Sequence, residues 1–139
     1  LDEFHAAILL SKLGHLDEYI ERRRFLAERY NRMLFTSGLI LPKTMQGNQH
    51  VYYLYVCRHP DRDNIIAELK KRDILLNISY PWPIHTMTGY KFLGYKEGDL
   101  PHTEKAANGI FSLPMYPALT DEEQKTVVDA MNDVFSNIN

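Results

Sequence analysis

The first part of the chain repeats apolar residues at the spacing of an amphipathic helix. Four of them recur at intervals of four, three and four residues and so share one helix face: Leu9, Leu13, Leu16 and Ile20. Asp2 suits the N-cap, because its carboxylate can accept hydrogen bonds from the free backbone amides of the first turn. Gly14 and His15 interrupt the repeat, so we expect a kinked pair of helices over residues 2–35.

The strongest strand pattern is HVYYLYVCR at residues 50–58, which is rich in β-branched and aromatic residues. Both alternating faces carry large apolar groups, so we expect a central strand that is covered on both sides. Shorter strands and helices are predicted around it, with strands at 39–41, 74–78 and 111–113 and helices after 60–63, over 103–108 and from 120 onward. This order predicts an α+β domain with a mostly antiparallel sheet packed with helices and a long N-terminal helical segment.

Two signals mark the ends of helices. Ser37-Gly38 ends the opening helical segment, with Gly38 suited to a left-handed backbone conformation. Thr120, followed three residues later by Glu123, fits the capping-box pattern at the start of the last helix. The apolar positions of that helix at helical spacing form its predicted core face: Val127, Val128, Met131, and Val134 or Phe135.

Composition predicts one compact domain. The chain has 139 residues, of which 45% are hydrophobic, and its 16 basic and 18 acidic residues leave a net charge of −2. That balance argues against a dedicated nucleic-acid binder, which usually shows a clustered basic surface. A single cysteine, Cys57, favours the cytoplasm, and no apolar run approaches the ~20 residues that span a bilayer. The chain does not begin with methionine, so we expect a natural start further upstream.

The common catalytic and metal-binding motifs are missing from the sequence. The six histidines do not pair at metal-ligand spacing, so no metal site is expected, and no phosphate-binding glycine loop or GxSxG motif occurs. The basic run Arg22-Arg23-Arg24 is interpreted as a solvated helix face paired with nearby glutamates, Glu18, Glu21 and Glu28. The aromatic residues of 50–58 could stack RNA bases, but core packing is favoured because both faces are apolar.

The stretch ISYPWPIH at 78–85 concentrates a hydroxyl, a phenol, an indole and an imidazole just after a predicted strand. These groups are the candidate site residues: Ser79, Tyr80, Trp82 and His85. Two prolines restrict the loop and so pre-organise it, as a recognition loop requires. On the residues alone, a rigid turn whose aromatics plug the core is an equally good interpretation.

The motifs in their order resemble the C-terminal part of the DegT/DnrJ/StrS family of pyridoxal-phosphate-dependent nucleotide-sugar aminotransferases. The similarity covers essentially the whole chain and rests on four segments: LDEFHAAILLSKLGHLDEYIERRRFLAERYN, HVYYLYVCR with DRDNIIAELKKRDI, YPWPIH, and LGYKEGDLPHTEKAANGIFSLPMYPALTDEE. The resemblance implies the small C-terminal domain of a fold-type-I aminotransferase. Residues 1–139 would then be a single domain of a longer enzyme, with 1–36 leading from a missing large domain and 37–139 forming the small α+β domain.

The resemblance also implies what this chain lacks. In the family, the N-terminal domain holds pyridoxal 5′-phosphate and carries the lysine that bonds to it, and none of the eight lysines here lies in that lysine motif. We therefore expect no catalytic and no cofactor-binding residue in this chain, which alone should be inert. The implied partners are a nucleotide-sugar substrate, an amino donor such as glutamate, the N-terminal large domain and a second subunit in a homodimer, with no nucleic acid or membrane.

The resemblance places YPWPIH in a substrate cleft at the dimer interface. Tyr80 and His85 match family positions and are expected to donate hydrogen bonds to sugar hydroxyls or the diphosphate, while Trp82 packs on an apolar sugar face. Ser79 stands where the family often has histidine, which suggests a different sugar preference. We also expect an exposed apolar face along Phe4 and Ile8, which the large domain would cover in the whole protein.

Three alternatives remain at this point. One is a dehydratase of the same family, which has histidine in place of the cofactor-bonding lysine and so differs upstream of this chain. Another is an independent α+β ligand-binding module, which would bind its ligand as an isolated chain. The third is an RNA-binding sheet, which requires aromatic residues on an open face and salt-sensitive binding.

Overall fold

The opening segment forms two helices in the computed structural model, which describes residues 2–34 and 38–138. Helix α1 covers Glu3–Leu13 and helix α2 covers Leu16–Met33, so the predicted break at Gly14 and His15 is confirmed. Asp2 caps α1 as predicted, since its Oδ1 accepts a hydrogen bond of 2.9 Å from the backbone N–H of His5.

The predicted end of the helical segment at Ser37-Gly38 is described only in part, because Ser37 lies outside the described residues. Gly38 does adopt a left-handed conformation, with φ +88°. It lies beyond the last residue of α2, however, so it forms a turn rather than the helix cap that the sequence suggested.

The sheet is antiparallel and smaller than predicted. Strand β1 (Tyr55–Arg58) pairs with strand β2 (Ile110–Leu113), with Tyr55 opposite Leu113 and Arg58 opposite Ile110. The strands predicted at 39–41 and 74–78 are present only as single antiparallel bridges, Ile40 to Arg58 and Asn77 to Ser112. These bridges lie on the two outer sides of the β1–β2 pair, so all four predicted strand segments belong to one antiparallel arrangement, with fewer paired residues than predicted.

The prediction of a strand beginning at residue 50 was wrong. The backbone of Tyr52 has φ +47°, which an extended strand does not allow. Nη1 of Arg23 accounts for the carbonyl groups that a longer strand would have paired, because it donates to the oxygens of Tyr52 and Tyr53 at 3.1 and 2.9 Å. Tyr53 consequently points away from the core and is 73% exposed.

Three more α-helices follow in the described part of the chain: α3 (Arg62–Lys70), α4 (Pro101–Gly109) and α5 (Asp121–Ile138). The capping box of α5 is confirmed, since Thr120 Oγ1 accepts from the Glu123 N–H at 3.1 Å and the Glu123 carboxylate accepts from the Thr120 N–H at 2.8 Å. The predicted core face of α5 is also confirmed, because all its members are buried: Val127, Val128, Met131, Val134 and Phe135.

The core lies between the sheet and helices α2, α3 and α5. Tyr30 and Tyr55 are fully buried at its centre, with ring centroids 4.9 Å apart. This burial removes the platform that the RNA-binding alternative required, because Tyr55 faces the core rather than solvent. Cys57 is buried as well, as its predicted core position implies, and desolvation raises the pKa of its thiol to about 12.

The three consecutive arginines were misinterpreted as a solvated face. Arg22 donates to the Leu119 carbonyl at 2.6 Å and pairs with Asp121 at 2.9 Å, which ties α2 to the start of α5. Arg24 pairs locally with Glu21, as expected, but it also donates to the His50 carbonyl at 3.2 Å. The side chains of the run therefore hold distant segments together, which sequence spacing along one helix does not show.

Helix α1 contributes nothing to the core and has no buried residue. The predicted exposed apolar face is confirmed, because Phe4 is 74% and Ile8 40% exposed, and three leucines beside them are also exposed: Leu9, Leu10 and Leu13. Among the helices of ranges 2–34 and 38–138, none combines the length and apolar character that a membrane-spanning helix needs.

Two glycines with left-handed backbones allow a matched test of the turn after α2. A Cβ at Gly38 would lie 3.0 Å from Nε2 of His59, whereas a Cβ at Gly47 (φ +82°) would meet nothing within 4 Å. Gly47→Ala should lower the free energy of unfolding by about 1 kcal/mol through backbone strain alone. Gly38→Ala should lower it by about 2 kcal/mol, because the buried His59 ring must also move. Urea denaturation of both variants measures the difference, and equal losses would show that His59 moves aside without cost.

Candidate functional site

The candidate loop leaves the sheet just after the Asn77 bridge and is held by its own short turns. Pro81 and Pro83 force extended backbone on the residues before them, so no helix can form across YPWP. Two 3-10 helices follow at Ile84–Thr86 and Thr88–Leu93. Thr86 fastens the first of them, because its N–H and its hydroxyl both donate to the Pro83 carbonyl, at 3.0 and 2.9 Å.

A cleft of about 640 Å³ opens between this loop, the segment 91–97 and helix α4. Its walls combine rings, charged groups and backbone, and its main lining side chains are Trp82, His85, Lys91, Tyr95, Lys96 and Glu104. A concave site with a few convergent polar groups suits a small polar ligand.

The structure brings two of the four candidate residues into the cleft. Trp82 and His85 line it, whereas Ser79 and Tyr80 lie on the same loop outside its lining. Tyr80 is 73% and Trp82 67% exposed, so the interpretation that these aromatics plug the core was wrong. Ser79 is half-buried, and its Oγ accepts a hydrogen bond of 3.1 Å from the Asn77 side chain.

His85 is the buried member of the loop and is fixed by an acid from helix α4. Its Nε2 lies 2.8 Å from Oε1 of Glu104, and the two side chains are 5% and 18% exposed. The ring of Tyr95 approaches edge-on, with its centroid 6.4 Å from that of His85. The imidazole is therefore held in place before any ligand enters.

The Glu104 carboxylate also accepts hydrogen bonds from two backbone amides of the loop that leads into α4. The Gly98 N–H donates to both carboxylate oxygens, at 2.9 and 3.0 Å, and the Leu100 N–H donates to Oε1 at 3.3 Å. The hydrogen bond with His85, followed by that from Gly98, holds the pKa of Glu104 below its ordinary value. The group is thus an ionised acceptor at neutral pH.

Sequence reasoning missed Glu104 as a site residue. The only local signal was its position in the first turn of α4, where Pro101 begins the helix and an acidic side chain favours the helix dipole. That signal indicates a helix start and says nothing of His85, which lies far away in sequence. The pairing depends on how α4 packs against the loop.

The residues present do not fit a pyridoxal-phosphate site. A lysine that bonds to the cofactor must be able to lose its proton, which burial promotes, but all eight lysines of this chain are exposed. The Glu104 carboxylate is already taken by His85 and two amides. Within residues 2–34 and 38–138, no three His, Cys, Asp or Glu side chains converge as metal ligands would.

Comparison with known proteins identifies the family to which the chain is similar. Residues 1–132 match the model of the DegT/DnrJ/EryC1/StrS aminotransferase family. The chain is 50% identical, over 99% of its length, to a dTDP-3-amino-3,4,6-trideoxy-alpha-D-glucose transaminase of Micromonospora megalomicea subsp. nigra. It spans only 38% of the length of that relative.

Two solved structures share the fold closely. DesV of S. venezuelae, crystallised in complex with a ketimine intermediate, superposes with a TM-score of 0.93 at 34% identity, over 97% of this chain and 37% of that one. NtdA from Bacillus subtilis, which contains bound cofactor PMP, gives a TM-score of 0.86 at 29% identity, over 98% of this chain and 33% of that one. The two structures thus extend well beyond the part that this chain matches.

Proposed function

Because the chain belongs to the DegT/DnrJ/EryC1/StrS aminotransferase family, we propose that it is the C-terminal part of a pyridoxal-phosphate-dependent enzyme that transfers an amino group to a nucleotide-linked keto-sugar. The cofactor, held by the N-terminal domain, supplies the electron sink that transamination requires. This chain supplies no bonding lysine, so it is inert alone. Its part is to bind and orient the sugar and to exclude water.

The observation that carries this role is the cleft at the YPWPIH loop, with its buried and hydrogen-bonded His85. Within the cleft, Trp82 offers an exposed indole that can pack on the apolar face of a sugar. Outside the lining but on the same loop, Tyr80 offers an exposed phenol that can bond to a hydroxyl or diphosphate extending past the cleft. The His85 imidazole is pre-positioned by Glu104. Ser79 is bonded to Asn77 outside the cleft lining, and its short side chain, at a position where the family often has histidine, gives this loop a different sugar preference.

The exposed face of α1 supports a larger assembly. Phe4, Leu10 and Leu13 are each more than three-fifths exposed on a helix that buries nothing, which is costly for a free-standing domain. We assign the covering surface to the N-terminal large domain, from which α1 leads to α2 and the α+β part that α2 packs into. The second subunit of a homodimer completes the cleft, glutamate is the amino donor, and the enzyme acts in the cytoplasm.

The alternatives receive less support. The Micromonospora relative is named as a transaminase, which favours amino transfer over dehydration. An independent ligand-binding module would not leave α1 without a single buried residue. The apolar face of α1 thus favours part of a larger enzyme over a module that works alone.

The test is amino transfer by the complete polypeptide, extended to its natural start and supplied with pyridoxal phosphate. We expect glutamate-dependent conversion of a dTDP-linked keto-sugar to the amino-sugar, detected by mass spectrometry, and no conversion by residues 1–139 alone. Loss of water from the sugar without gain of nitrogen would establish the dehydratase instead. A complete polypeptide that takes up no cofactor and converts no sugar would refute the proposal.

A further inference from the structure

Glu104 joins three separate segments around the cleft. It accepts from His85 in the first 3-10 helix, from the Gly98 N–H in the loop before α4, and from the Leu100 N–H at the start of α4. Gly98 itself requires a left-handed conformation, with φ +93°, to present its amide in this way. Apart from these bonds, few hydrogen bonds within the described ranges order the segment 95–100: the Lys96 and Asp99 backbones and the Asp99 carboxylate bond only to each other.

The direction of these bonds fixes the chemistry of His85. An ionised carboxylate only accepts hydrogen bonds, so Nε2 of His85 must carry the proton in the bond to Glu104. In the neutral ring, Nδ1 is then a lone-pair acceptor. Among the described residues, no hydrogen bond involves Nδ1, and His85 lines the cleft. A sugar hydroxyl would thus donate to His85, which is the reverse of the donation expected from the sequence.

We propose that Glu104 is a positioning residue of the keto-sugar cleft, which holds the loop at 81–86 against the loop at 94–100 and presents Nδ1 of His85 as an acceptor for a sugar hydroxyl. This inference rests on the proposed function and adds to it a residue and a hydrogen-bond direction. Glu104 lines the cleft, but its carboxylate is already bonded to His85 and to the amides of Gly98 and Leu100, so its part is to position rather than to bind the sugar. Glu104 acts on sugar binding through His85 and through the two loops. Because these loops are ordered before the sugar binds, binding does not have to offset the loss of their conformational entropy.

The experiment uses the complete polypeptide with pyridoxal phosphate and measures the two half-reactions separately. Glu104→Ala should raise the KM for the keto-sugar about 10-fold and leave the half-reaction with the amino donor unchanged, because only sugar binding depends on the two loops. The KM of Glu104→Gln for the keto-sugar should lie between those of Glu104→Ala and the wild type, because the amide oxygen can still accept a hydrogen bond from His85. The matched control is Glu122→Ala, which removes an exposed first-turn carboxylate of α5.

Amide hydrogen exchange gives a readout of the loop itself. Peptides covering 95–101 should exchange about 10-fold faster in Glu104→Ala than in the wild type or Glu122→Ala. His85→Gln separates the ordering of the loops from the acceptor role of Nδ1. The glutamine amide can still donate a hydrogen bond to Glu104, but it has no acceptor atom at the position of Nδ1. We expect wild-type exchange in this variant together with a raised KM for the keto-sugar.

The outcomes distinguish the inference from the function on which it rests. An unchanged keto-sugar KM or unchanged exchange in Glu104→Ala would overturn the positioning role, and so would a loss of both half-reactions together. A wild-type enzyme that transfers no amino group would refute the proposed function. In that case, faster exchange in Glu104→Ala would establish a structural clamp and would overturn its role in sugar binding.

Discussion

Replacing Tyr30 with alanine should lower the free energy of unfolding of the chain by about 4 kcal/mol. Tyr30 is fully buried, its ring packs against Tyr55, and its hydroxyl donates to the Pro114 carbonyl at 2.9 Å. The substitution therefore opens a cavity between α2 and the sheet and also leaves the Pro114 oxygen without its partner. Urea denaturation followed by far-UV circular dichroism measures the loss, because the exposed Trp82 is a poor fluorescence reporter of the core.

Two matched variants separate the contribution of the buried Tyr30 ring from those of its hydroxyl group and of an exposed ring on the same helix. Tyr30→Phe keeps the ring and removes only the hydroxyl, so it should cost about 1–2 kcal/mol. Tyr19→Ala, on the same helix, removes an exposed ring that stacks on His15 and should cost less than about 0.5 kcal/mol. If Tyr30→Ala and Tyr19→Ala cost the same, the packing of α2 on the sheet described above is incorrect.

Replacing Arg23 with methionine should cost about 3 kcal/mol, because one guanidinium holds three backbone carbonyls. Its Nη1 lies 3.1, 2.9 and 3.5 Å from the oxygens of Tyr52, Tyr53 and Met115. Methionine keeps the aliphatic stem, so the loss reports the hydrogen bonds together with the contact of the guanidinium with the exposed Tyr53 ring, whose centroid lies 5.8 Å from it. Lysine should recover only part of it, since an ammonium group lacks the planar array of donors.

The control for this prediction is Arg32→Met on the same helix. Arg32 is exposed, and no hydrogen bond of its side chain is recorded among the described residues, so its replacement should change stability by less than about 0.5 kcal/mol. Amide exchange should accelerate at residues 50–54 in Arg23→Met and stay unchanged in Arg32→Met. A loss of stability without faster exchange at 50–54 would contradict the role assigned to Arg23.

Features encoded within a few residues were predictable from the sequence. The caps at Asp2 and Thr120, and the break at Gly14, are local, because each depends on side chains and backbone groups within one helical turn. The buried face of α5 was predictable for the same reason, since helical spacing alone determines which residues share a side.

Features that depend on tertiary contacts were not predictable. Residues 50–54 have strong β-propensity, yet Arg23 captures the carbonyls of Tyr52 and Tyr53 from another element. The same limit applies to the candidate site. The prolines and aromatics of the loop marked it in the sequence, but Glu104 became visible only once α4 was packed beside His85.

The three consecutive arginines of α2 also limit where residues can be inserted or deleted during evolution. Successive residues of a helix are rotated by about 100°, so Arg22, Arg23 and Arg24 point in three directions, and each reaches a different backbone carbonyl outside the helix: Leu119, Tyr52 and His50. An insertion or deletion of one residue within α2 would turn everything before it by that angle relative to the core face at Leu26 and Tyr30. We therefore expect related chains to lack insertions and deletions within α2. We expect such changes at the exposed junction of Gly14 and His15, where no side chains have to stay aligned with the core face.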